Sequence, residues 1–165
     1  MSYELYLIRH GVAEDRGDAW PDDSKRPLTS RGMSRVRKEA RGLSRLGVSF
    51  DVVLTSPLVR ARQTAEIIVA AVEPRPHLVN AESLAPGATF QALVTDIEKQ
   101  GKKTRVALVG HEPGMGELAA RLIGARRAIE LKKGSVARID LESIAAGAGT
   151  LRWLIPPRAL RMVKK

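Results

Sequence analysis

Apolar and polar positions along this chain follow two rhythms. Short continuous apolar runs bounded by glycine, proline or charge read as strands buried on both faces. Apolar residues at three- and four-residue steps read as helices. Residues 3–8 (YELYLI) predict a first strand, and the polar, turn-rich 15–27 (DRGDAWPDDSKRP) predicts a loop. Thr29 or Ser30 caps a helix carrying Met33, Val36, Ala40, Leu43 and Leu46 on one face, and Gly47 stops it. Residues 50–56 (FDVVLTS) predict a second strand. Ser56 then offers a hydroxyl cap and Pro57 a first-turn proline, predicting a helix that reaches Ala71. A short strand at 77–81, a helix within 86–101, a strand at 104–111 and a helix at 113–124 follow. Residues 135–141 and 150–155, separated by a glycine-rich turn, predict an antiparallel pair. The basic end, PPRALRMVKK, reads as a solvated tail.

Strands that alternate with helices and finish in a hairpin predict an α/β fold, a sandwich around a mostly parallel sheet. The 165 residues, 44% of them hydrophobic, suit one domain spanning 1–165. With no cysteine there is no disulfide framework and no thiolate nucleophile. No signal-peptide pattern or membrane-length apolar run stands out, so the expected location is cytoplasmic, away from membranes. The formal charge of +10 favours anionic partners. Aromatics at 4% argue against nucleic-acid binding by base stacking.

Three segments concentrate the chemistry. Arg9-His10-Gly11 closes the first strand, Ser56–Thr64 follows the second, and Gly110-His111-Glu112-Pro113 closes a later one. In a parallel sheet these ends share one rim, where α/β proteins place ligands. Two imidazoles and two arginines there suit a phosphoryl group. Guanidinium grips its oxygens, and a neutral imidazole can attack phosphorus. Arg62 lies about 200° around the helix from Arg60 and reads as structural. Glu112 reads as a first-turn helix acid, and Trp20 and Trp153 as packing residues.

The motifs LIRHG, SPLVRARQT and VGHEPG, in this order, resemble the histidine phosphatase superfamily, which includes the phosphoglycerate mutases. KRPLTSRG and GTLRWLIPP resemble its small SixA-type branch, the phosphohistidine phosphatases. The resemblance implies a phosphoglycerate mutase-like three-layer α/β/α sandwich that works without cofactor or metal. It implies His10 as the nucleophile, Arg9 and Arg60 as phosphate ligands, and His111 as a stabiliser of the transferring group. Asp23 is favoured as general acid, with Glu82 or no dedicated acid the alternatives, because the imidazole of a phosphohistidine leaves neutral when its other nitrogen is protonated. Arg26 either binds phosphate or pairs with Asp22 or Asp23. The loop after RHG leaves a low-walled pocket, which favours phosphohistidine on a signalling or phosphotransfer protein. The competing readings are a small-molecule phosphomonoesterase or mutase, and a non-catalytic phosphate or nucleic-acid binder.

Overall fold

The computed structural model describes residues 2–165. Its strands are β1 (Tyr3–Arg9), β2 (Val52–Thr55), β3 (His77–Asn80), β4 (Arg105–Gly110), β5 (Val136–Leu141) and β6 (Gly149–Ile155). They form one sheet in the order β3-β2-β4-β1-β5-β6. The first four pair in parallel, whereas β5 runs antiparallel to both β1 and β6. The helices are α1 (Ser30–Arg45), α2 (Val59–Ala71), α3 (Phe90–Glu98), α4 (Gly114–Ile123) and α5 (Pro157–Met162). This is the three-layer α/β/α sandwich, with α1, α2 and α5 on one face and α3 and α4 on the other.

The continuous apolar runs have a direct cause. Successive strand residues point to opposite faces, and both faces are covered. Leu5 and Leu7 of β1 enter the core under α3 and α4, while Tyr6 and Ile8 enter the core under α1, α2 and α5. Val106 and Leu108 of β4 join the first core, and Ala107 and Val109 the second. Each large apolar side chain buried this way contributes about 1.5–3 kcal/mol. A polar residue inside such a run would face a dry core on either side. Among the described residues no helix is long and apolar enough to cross a membrane.

The helices differ from the sequence expectations at their ends. Thr29 caps α1, accepting from the Gly32 N–H at 2.8 Å. Leu46 falls beyond the last turn and is 47% exposed. Ser56 does not cap α2, which starts at Val59 with Leu58 in the cap position. Residues 86 and 87 form a turn rather than helix, and Thr89 caps α3 at Phe90. The basic tail is not wholly solvated, because Pro157–Met162 is helical and Leu160 is fully buried. Leu160 enters the core that α1 covers, and Arg161 donates to the buried Glu39 carboxylate at 2.7 Å.

Gly42 permits that docking, because a Cβ there would collide with the Leu160 carbonyl. Gly42→Ala is expected to lower stability by about 1–3 kcal/mol through this overpacking. Thermal unfolding should show a melting point lower by roughly 2–4 °C for each kcal/mol lost. An unchanged midpoint would mean that α5 does not rest on α1.

Candidate active site

β1, β2 and β4 are neighbours and run in parallel, so their carboxyl ends meet at one rim. Backbone hydrogen bonds continue past the strand ends. The His10 N–H donates to Gly110 O at 3.0 Å, and the Ser56 N–H donates to Val109 O at 2.9 Å. These bonds fix His10, Ser56 and His111 relative to the sheet. The two imidazole rings lie 5.1 Å apart between centroids, tilted by 59°. His10 is 6% exposed and His111 8%.

His10 Nδ1 sits 2.7 Å from the Gly11 carbonyl oxygen. A carbonyl only accepts, so Nδ1 carries the proton and Nε2 keeps its lone pair. Burial lowers the His10 pKa to about 3, and the nearby His111, Arg60 and Arg9 push the same way. The ring is therefore neutral across the physiological range. The Gly11 N–H donates to Thr64 Oγ1, and Thr64 Oγ1 donates to Arg60 O, which ties the segment after His10 to the first turns of α2. His111 Nε2 lies 2.7 Å from Ser56 Oγ, which holds that ring in place. Burial, with Arg60 next in effect, lowers the His111 pKa to about 4.

Arg9, Arg26 and Arg60 bring three guanidinium groups to the rim. Arg9 Nη1 donates to Leu131 O at 2.9 Å. Arg60 is 3% exposed and donates to the Asp23 carbonyl and to Asp23 Oδ2 at 2.9 and 3.0 Å. Arg26 Nε donates to Asp23 Oδ1 at 2.8 Å, and its Nη1 donates to Glu14 O. The Asp23 carboxylate thus lies between two arginines, with Asp22 capping the 3₁₀ turn Asp23–Lys25 that carries it. The Arg26 hydrogen bond, followed by the Arg60 charge, holds the Asp23 pKa below the usual carboxylate range. A carboxylate in that state is a counter-ion and a tether rather than a ready proton source. Three guanidiniums against one carboxylate leave about two positive charges uncompensated, which matches a phosphoryl dianion.

The structure thus gathers Arg9, His10, Asp23, Arg26, Arg60 and His111 at one rim. Of the two pairings open to Arg26 it shows the one with Asp23. Glu82 stands exposed in the turn after β3, and its side chain makes no hydrogen bond among the described residues. Arg62 turns away to Glu66 and Asn80. Glu112 accepts from the Gly116 and Leu131 N–H groups, so it braces α4 and the chain that holds Arg9. Sequence reasoning missed Ser56 as the partner of His111 and Thr64 as the link between Gly11 and Arg60. The polar S and T of SPLVRARQT were the available signal.

A profile described as the histidine phosphatase superfamily, branch 1, matches residues 5–84. The phosphohistidine phosphatase SixA of Escherichia coli K12 is 30% identical over 98% of both chains. The chain belongs to the histidine phosphatase superfamily. An uncharacterised protein of Picosynechococcus sp. strain PCC 7002 is 42% identical over 87% of each chain. A solved structure of the protein histidine phosphatase SixA complexed with tungstate superposes with a TM-score of 0.83 at 26% identity. That match covers 95% of this chain and 99% of the other, so the likeness of this superfamily member to SixA extends over nearly the whole fold.

Both site imidazoles are disfavoured as cations by burial, which pushes their titrations downward. Imidazole proton shifts followed by NMR should place the midpoints of His10 and His111 below pH 5. A His10 midpoint near 6.5 would mean a hydrated ring and a weaker claim to the site.

Proposed function

We propose that this protein hydrolyses phosphohistidine displayed on a signalling or phosphotransfer protein, through a covalent phospho-His10 intermediate. The observation that carries this reading is the hydrogen bond from His10 Nδ1 to Gly11 O, which leaves Nε2 as a fixed, neutral nucleophile. Arg9, Arg26 and Arg60 bind the phosphoryl oxygens, and His111 stabilises the charge that spreads over them during transfer. His10 Nε2 supplies the electron pair that forms the new P–N bond. The electrons of the broken P–N bond return to the substrate imidazole, which leaves neutral because its other nitrogen is protonated. Water then attacks phosphorus, loses a proton to solvent, and releases inorganic phosphate. The His10–phosphorus bond electrons return to Nε2, while Nδ1 keeps its proton on Gly11 O. These steps use only side chains and water.

The state of Asp23 supports the choice of substrate. Between Arg26 and Arg60 it is ionised, and it remains a general acid only if substrate binding frees it. An alkoxide leaving group needs a proton, whereas a protonated phosphohistidine ring does not. The name of the E. coli relative agrees with this reading.

A second reading, as a small-molecule phosphomonoesterase, draws on a cavity of about 450 Å³ beside His111. Leu84, Phe90, Leu93, Met115 and Leu118 line it, with Arg121 over the Phe90 ring at 4.0 Å. A compact leaving group would fit there.

Rates on phosphohistidine and on p-nitrophenyl phosphate separate the two readings. The first expects kcat/KM to be higher on phosphohistidine and His10→Ala to abolish both activities. Asp23→Asn is expected to slow both substrates by a similar factor of about 10–100, the loss of charge-assisted bonds that position Arg26 and Arg60. A selective loss on an alkyl phosphate, whose alkoxide needs the proton that p-nitrophenolate does not, would restore Asp23 as the acid. Faster turnover of p-nitrophenyl phosphate by wild type would favour the second reading.

A further inference from the structure

The positive charge is sorted by layer. Helices α1, α2 and α5 carry ten arginines and lysines against two carboxylates, Glu39 and Glu66. Helices α3 and α4, on the other face of the sheet, carry one arginine against three carboxylates. Glu39 is buried against Arg161, and Glu66 is taken by Arg62 at 2.9 Å. Arg31, Arg37, Lys38 and Arg41 of α1 are exposed and form no ion pair among the described residues. The catalytic pocket requires none of these four charges.

A groove of about 470 Å³ runs between α1 and α2. Met33 and Ile67 are half-buried in its floor, Ala70 lies at its exposed edge, and Arg37 and Arg41 line its α1 side. Each helix follows a strand of the parallel set, so both start at the catalytic rim and run away from it together. Met33 to Arg41 spans about 12 Å of helix. The upper end is tied to the site, because Gln63 in the groove accepts from the Leu28 N–H, two residues past Arg26. Gln63 is also three residues past Arg60, about 5 Å along the helix axis.

An apolar floor flanked on its α1 side by unpaired cations, with Glu66 on the α2 side already held by Arg62, fits a helix with leucine-like residues on one face and carboxylates turned toward α1. A nucleic-acid backbone would match the charge but not the floor, and aromatics for base stacking are scarce. We propose that the α1–α2 groove docks an acidic amphipathic helix of the phosphorylated protein and so delivers its phosphohistidine to His10. This rests on the reading of the substrate as a phosphohistidine protein. Docking through the groove raises the local concentration of substrate and steers the encounter.

The test uses three substrates. One is a synthetic helical peptide of about 20 residues with a leucine face, a glutamate face and one phosphohistidine. The second has lysines in place of the glutamates, and the third is the phosphohistidine amino acid. Wild type should show kcat/KM about tenfold or more higher on the glutamate peptide than on the lysine peptide, with the advantage fading as salt rises. Arg37→Glu with Arg41→Glu should erase that preference. Ala70→Trp, which fills the groove without changing charge, should reduce it. Equal rates on the two peptides, or a preference that survives either variant, would overturn the docking site. So would a short DNA duplex inhibiting more strongly than the unphosphorylated glutamate peptide. No turnover of any of the three substrates would instead overturn the reading of the catalytic site itself.

Discussion

The hydrogen bond from His10 Nδ1 to the Gly11 carbonyl is the constraint on which the rest of the site depends. It assigns the proton to one ring nitrogen and the lone pair to the other. Burial then keeps the ring neutral beside three arginines, where a hydrated histidine would be partly cationic. The fold supplies both conditions. The strand run from Leu5 to Ile8 anchors the residue, and the chain leaving the strand at Gly11 places its own carbonyl against the ring.

The positive charge around that ring is costly without an anion, and Asp23 offsets part of it. Its carboxylate joins Arg26 and Arg60 and ties the loop after β1 to α2. Under the proposed function, an incoming phosphoryl group would meet guanidiniums that are already oriented. The same pairing keeps Asp23 ionised, so a role as general acid requires that substrate binding free it. It also fits a leaving group that departs as a neutral ring.

Much of this was legible in the chain. The unbroken apolar runs marked strands buried on two faces, and the histidines beside glycine marked their ends. Parallel order then placed Arg9, His10, Arg60 and His111 on one rim before any coordinates. The Asp23 clamp was not legible, because it depends on how a polar loop folds back over α2. Ser56-Pro57 looked like a helix cap, yet the helix starts two residues after the proline, and the hydroxyl serves His111 instead. The tail hid α5 for a similar reason. Its one buried anchor, Leu160, meets a glycine on α1 that lies well over a hundred residues earlier.

The most direct test is to trap the phosphoenzyme with a phosphoramidate donor and locate its phosphorus by ³¹P and ¹⁵N NMR. A nucleophile fixed by Gly11 O predicts phosphorus on His10 Nε2, with Nδ1 still protonated. Phosphorus on His10 Nδ1, on His111 or on any other side chain would contradict it.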